Sequence, residues 1–401
     1  MAEEVSNPPT SAGDPRSAFT ALVGGRVVPV DGPALGGGTV IMTGGRITGV
    51  GIDLPIPDGA RVIDVGGLTV LPGFIDAHTH LGTLEEGVGI AGDDHDESTR
   101  PVTAELRAID AVNHADIGFA DAVAGGVLAV GVNPGSCNVI GGQSVALRSH
   151  GRTVDEMVLR SPAGMKSALG ENPKRSYGAR GRYPSTRMGI AAVVRQALTD
   201  AADAVDRVSA GERPPTDLGL RALMRVLSGE LTWRQHVHRA DDIVTAVRLA
   251  DEFGYRLVID HGTEAHLVAD LLAARGIPVL LGPLIVGRSK LELRHRSFAN
   301  AGLLAAAGVE ISLVTDHPVI PIDLARIQAG LAVEAGLPYE VAVRSLTLNP
   351  ARALGIAGRV GTLAVDSDAD ICVWRGDPLA PSGRLGLAFV RGVQVRGPQP
   401  A

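Results

Sequence analysis

Eight short runs, several of them rich in valine, isoleucine and leucine, recur between residues 74 and 316. They are FIDAHTH (74–80), GVLAVGV (126–132), GQSVALR (142–148), AGMKSALG (163–170), TWRQHVH (232–238), YRLVIDHG (255–262), IPVLLGP (277–283) and GVEISLVTD (308–316). Alanine-rich stretches such as DDIVTAVRLADEFG and EAHLVADLLAARG fall between several of them and carry helical periodicity. Repeated strand–helix units predict a parallel sheet, and eight of them a closed (β/α)8 TIM-like barrel, in the α/β class. The rival is an open doubly wound sheet. Against it, no glycine-rich dinucleotide loop follows the first run.

Both ends have a different texture. FTALVGGRVVPV, GTVIMTGGRITGVG and ARVIDVGGLTVLPG are β-rich pieces punctuated by glycine, and GRVGTLAVDSDADICVWRG and GLAFVRGVQVRG repeat the pattern near the other end. The expectation is a small β-sandwich domain built from both termini, with the barrel inserted. The boundaries expected are a disordered tail at 1–17, an N-terminal sandwich segment at 18–70, the barrel at 71–360 and a C-terminal sandwich segment at 361–401.

Several of the apolar runs end in the same kind of residue. His78 and His80 alternate along one strand and so share a face, which is how a strand presents two nitrogen ligands to one ion. The fifth run closes with His236 and His238, the sixth with His261 and the eighth with Asp316. Strand C-termini carry the chemistry of such barrels, so these residues would converge at its mouth. Each has a plainer reading alone, as a buried histidine or a helix-capping aspartate. Their coincidence at four strand ends is harder to explain that way. His95, His114, His150, His266, His295 and His317 lack this placement and read as surface or structural residues.

Together with VLPGFIDAHTHLG, the TDH of the eighth run and NPARALGIAGRVGTLAVDSDADICVW, these features resemble the amidohydrolase superfamily over about residues 20–398. Within it the chain is most similar to the imidazolonepropionase- and prolidase-like branch of metal-dependent hydrolases. The resemblance implies that His78, His80, His236, His261 and Asp316 ligate one or two divalent ions. Zinc is the default on ligand type, with iron and manganese also compatible. The fourth run leaves alternatives open. Binuclear relatives often carry a carboxylated lysine there, others a glutamate, and mononuclear ones neither. Lys166 matches the bridging position better, Glu171 is the alternative ligand, and the plainer reading has Lys166 snorkelling toward solvent.

The activity implied is hydrolysis of a carbon–nitrogen bond, other than an ordinary peptide bond, in a small amide, a cyclic amide or a dipeptide-like molecule. Asp316 would take the proton of a metal-activated water and pass it to the leaving amine. His238 would be an electrophile or substrate contact, or merely a hydrogen-bond support for the ligands. Deamination of a heterocycle on the same barrel is the alternative, and an inactive scaffold barrel a weaker one. Basic residues in the loops after the fourth and seventh runs, Arg175 among them, suit a carboxylate-bearing substrate. Asn138, in a loop rich in small residues, is a further candidate contact.

Composition narrows the partners. Aromatics make up 3% of the chain and the net charge is −7, which gives no stacking platform or basic surface for nucleic acid. Two cysteines exclude a disulfide framework. No apolar run spans a bilayer, and the acidic start lacks a signal-peptide core. The expectation is a cytoplasmic enzyme with a small-molecule substrate, no nucleic acid or membrane partner, and a homo-oligomeric assembly.

Overall fold

The computed structural model describes residues 19–398. The tail expected at 1–17 lies outside them. One sheet gathers strands from both ends of the chain: β1 (Thr20–Val27), β2 (Leu35–Thr43), β3 (Arg46–Gly51), β4 (Arg61–Asp64) and β5 (Thr69–Pro72). The second sheet comprises β6 (Phe74–Thr79), β7 (Val127–Val132), β8 (Ile140–Arg148), β9 (Val158–Ala168), β10 (Trp233–Val237), β11 (Leu257–His261), β12 (Val279–Leu281) and β13 (Ile311–Leu313). Three further strands, β14 (Ile371–Arg375), β15 (Arg384–Val390) and β16 (Val393–Arg396), return to the first.

In the first sheet the order is β16-β15-β14-β5-β1-β2-β3, with β4 also paired to β1. The termini therefore meet through β14 and β5, which run antiparallel with Ile371 opposite Pro72 and Trp374 opposite Thr69. Leu22, Val40, Met42, Ile47, Val70, Ile371, Val373 and Phe389 form its buried apolar cluster. In hydrogen bonding this is one continuous sheet, where two facing layers had been expected.

The second sheet follows sequence order from β6 to β13 and makes a nearly closed eight-stranded barrel. All eight expected strands are present. Every residue of β6, β7 and β8 is buried, as both-sided burial requires, which explains why these runs read as continuous apolar stretches. The direction of the third strand corrects the all-parallel expectation. β8 runs antiparallel to both β7 and β9, whereas β6–β7, β9–β10, β10–β11, β11–β12 and β12–β13 are parallel. Only residues 133–139 separate β7 from β8. A parallel crossover needs about a dozen residues or more, so the chain turns back as a hairpin instead.

Closure joins the two ends of the barrel. His80 N–H donates to His317 O at 2.9 Å and Asp316 N–H to His78 O at 3.1 Å. Near the strand starts the interior is plugged by Ile75, Ala77, Val258, Leu280 and Val314 packed with Leu354, Ile356 and Val360. Among the described residues no helix is long and apolar enough to cross a membrane.

At the end of β8 a buried arginine ties the barrel to the other sheet. Arg148, 2% exposed, pairs with Asp368 and donates from Nε to Asp370 Oδ2 at 3.0 Å. Arg359 also reaches Asp368, at 3.1 Å, so Asp370 depends on Arg148 for its cation. Replacing Arg148 by methionine should cost about 3–5 kcal/mol, because it strands a buried carboxylate. Chemical denaturation monitored by circular dichroism checks this; an unshifted midpoint would mean that Asp370 needs no counter-ion.

Candidate metal centre

The mouth of the barrel brings together the residues that ended the apolar runs. One ligand atom each from His78, His80 and Asp316 lies within 4.8 Å of the others. Asp316 Oδ1 is 3.4 Å from His78 Nε2 and 3.3 Å from His80 Nε2. The His261 ring lies 4.6 Å from that of His78 and 4.4 Å from that of His236, centroid to centroid. His238 is 4.9 Å from His236 and stacks on His261 at 5.0 Å.

The hydrogen bonds dictate which nitrogen each ring offers. His80 Nδ1 lies 2.8 Å from Asn133 O, and His261 Nδ1 lies 2.8 Å from Gly282 O. A carbonyl can only accept, so each Nδ1 carries the proton and each neutral ring keeps a bare Nε2. His78 Nδ1 is likewise 2.9 Å from a carboxylate oxygen of Asp260. His236 differs: its Nδ1 is buried with no partner, while Nε2 sits 3.2 Å from Asn172 Nδ2. Burial drives the pKa values of His80, His236 and His238 below the ordinary range and that of His261 down to about 3. Neutral imidazoles with oriented lone pairs beside one carboxylate are the donor set a divalent cation requires.

Asp316, with a side chain 18% exposed, would be raised by its burial, but the surrounding imidazoles of His261, His78 and His80 hold it well below the usual carboxylate range. Its backbone and that of His261 adopt left-handed angles, with φ of 56° and 72°. Such residues are uncommon outside glycine and concentrate at functional sites. In β11 this turn has a consequence. Asp260 and His261 are neighbours in sequence, yet both face the site, because the left-handed residue breaks the strand's alternation.

Lys166 is fully buried on β9, with Nζ 3.1 Å from His78 Nε2 and 3.5 Å from Asp260 Oδ2. Burial pushes its ammonium below the ordinary lysine range, against the pull of Asp260 and Asp316. Glu171 opens the helix Glu171–Gly178, where its backbone N–H donates to Glu292 Oε1 at 2.8 Å; it is half-buried. His238 Nδ1 pairs with Thr263 Oγ1 at 2.8 Å. Arg175 is exposed on the same helix as Glu171; burial, aided by the nearby Arg175, pushes the Lys290 ammonium below the ordinary lysine range.

Asn138 is 2% exposed; its Nδ2 lies within hydrogen-bond reach of Glu97 O, Arg100 O and Thr103 Oγ1 and so clamps a loop, while its Oδ1 is buried without a partner. His95 is half-buried and takes the structural of its two readings. Its ring lies 5.2 Å from that of His80, and its nitrogens pair with Asp93 Oδ1 at 2.6 Å and Asp96 Oδ2 at 3.1 Å.

Several supporting residues escaped the sequence analysis. Asp76 accepts from His78 N–H at 3.0 Å, Thr315 N–H at 3.0 Å and Thr315 Oγ1 at 2.6 Å, which locks the two sides of the closure together. Arg234, Asp260 and Asn133 are further examples. Asp76 and Arg234 each stand two residues before a ligand histidine, so strand alternation alone could have found them. Asp76→Ala should leave three donors unpaired and cost at least about 3 kcal/mol on the usual 1–3 kcal/mol per buried group. A thermal melt within a degree of the wild type would show that water replaces the carboxylate.

Residues 221–397 match the sequence model of the Amidohydrolase family. The crystal structure of an amidohydrolase from Thermotoga maritima MSB8 aligns with a TM-score of 0.91 at 40% identity, over 94% of this chain and 100% of that one. Amidohydrolase tasK of Hapsidospora irregularis is 31% identical over 374 residues, 85% of this chain but 38% of its own length. This chain therefore spans little more than a third of that relative. The imidazolonepropionase of Maricaulis maris (strain MCS10) is 27% identical over 365 residues, 82% of this chain and 85% of that protein.

Proposed function

The chain belongs to the amidohydrolase family, in its imidazolonepropionase-like branch, and on that premise we propose that it hydrolyses a carbon–nitrogen bond in a small amide, cyclic amide or dipeptide-like molecule with a divalent ion as cofactor. One observation carries the reading: Nε2 of His78 and of His80 converge on Asp316 while the opposite nitrogen of each ring is held by a hydrogen bond. His78, His80 and Asp316 would hold the ion, with His261 Nε2 and the unpartnered His236 Nδ1 completing the set. Zinc suits these ligands best. Lys166 is favoured over Glu171 as the bridging ligand, after carboxylation, because its Nζ already lies 3.1 Å from a ligand nitrogen.

A divalent ion bound there lowers the pKa of water to about 7 and polarises the scissile carbonyl. Asp316 accepts the proton of the attacking water and delivers it to the departing nitrogen, so the amine leaves neutral. With Nδ1 fixed by Thr263, His238 would use its Nε2 to steady the substrate's carbonyl oxygen. The positive charges of Arg175 and Lys290 beside that opening favour a substrate with a carboxylate.

Purified protein should contain one to two equivalents of divalent metal, and chelation should abolish turnover in a screen of N-acyl amino acids, dipeptides and cyclic amides. Full turnover by metal-free protein would remove this reading. Asp316→Asn should keep the fold and at least one ion, yet lose about 10²-fold or more in turnover. Lys166→Ala should shed the second ion first. If its metal content equals that of the wild type, the bridge belongs to Glu171 or the site holds a single ion.

A further inference from the structure

The carboxylate of Asp260 lies fully buried beneath the proposed ligands, opposite His236 in the parallel register of β10 and β11. Its Oδ2 accepts from His78 Nδ1 at 2.9 Å and faces Lys166 Nζ at 3.5 Å. Its Oδ1 accepts from Arg234 Nε at 3.0 Å, and Arg234 Nη2 lies 2.9 Å away. Arg234, itself fully buried, also donates from Nη2 to Ala77 O at 3.0 Å, on the strand that carries His78. A carboxylate has about four lone-pair sites, and four nitrogens from three side chains surround those of Asp260.

We infer that Asp260, backed by Arg234, is the positioning residue that selects the ligand face of His78 and fixes Lys166 beside it. The inference rests on the metal-site reading above. Because Asp260 can only accept, the His78 proton is confined to Nδ1 and the lone pair of Nε2 is turned to the mouth, toward Asp316. Arg234 keeps the carboxylate from rotating away, since its Nε donates to Oδ1 while its Nη2 is anchored on Ala77 O. Asparagine at position 260 has one acceptor and one donor group. If its oxygen faces Arg234, its amide hydrogens point at His78 Nδ1, and the ring can accept them only by moving its own proton to Nε2. The ligand face is then lost, although the side chain keeps its volume.

The test compares the wild type, Asp260→Asn and the double variant Arg234→Met/Asp260→Asn. Zinc affinity is measured by chelator competition, and the His78 tautomer by ¹⁵N imidazole shifts in metal-free protein. Asp260→Asn should weaken zinc by 10–100-fold, the usual effect of removing a carboxylate that orients a ligand histidine, and should move the His78 proton to Nε2. In the double variant the asparagine oxygen is free to turn to His78, so the Nδ1–H tautomer and part of the zinc affinity should return. A structural role alone predicts no such recovery. A wild-type His78 protonated at Nε2, or an Asp260→Asn protein with unchanged zinc affinity, overturns the inference. Wild-type protein that binds no zinc while keeping the Nδ1–H tautomer would refute the metal reading and leave the positioning role standing. If Asp260→Asn fails to fold, the wild-type tautomer and the double variant still decide.

Discussion

The seam between β6 and the end of β13 is the constraint on which the site depends. Two backbone hydrogen bonds, His80 N–H to His317 O and Asp316 N–H to His78 O, hold His78, His80 and Asp316 in one cluster. Asp76 reinforces them from below by gripping Thr315, 239 positions away in sequence. The closure of the barrel and the assembly of its candidate centre are thus one event. Opening the seam would separate the HxH pair from the aspartate and expose the apolar interior at once. Residues in the barrel wall serve this seam whether or not they touch a ligand.

Much of this was readable from sequence because two simple periodicities apply. Alternation placed His78 and His80 on one face, and the burial of barrel strands made all eight runs stand out. Direction was harder. The pattern of β8 is the same whichever way it runs, and only the short stretch between Val132 and Ile140 reveals the hairpin. Asp260 was hidden for another reason. Alternation sends it away from His261, and the left-handed backbone that brings both to one side leaves no mark on the residue pattern. The surroundings of Asn138 and His95 were hidden because loop contacts between distant segments decide them. A long excursion after β6 folds over the mouth and brings His95 to His80, which no local rule anticipates.

The buried charges follow one logic. Lys166 and Arg234 are basic side chains without access to water, and Asp260 lies beside both. Isolated, any of the three would be costly in the interior; together they satisfy one another and the ring of His78. The arrangement contributes orientation more than stability. It leaves the upper half of the barrel with directed lone pairs where an apolar filling would have sufficed for folding, as it does near the strand starts.

The reversal of β8 also bears on how such a protein can change over generations. On a strand that ascends toward the mouth, the segment that follows can lengthen outward and reshape what the opening admits, at little risk to the wall beneath. β8 descends, so its following loop emerges at the opposite end, beside Arg148 and its two aspartates. The mouth consequently has one fewer connection than the barrel has strands. The missing position is taken by the tight turn 133–139, whose Asn133 carbonyl holds His80. Innovation in specificity is therefore confined to the remaining loops, and an insertion in this turn would trade novelty against the ligand it orients.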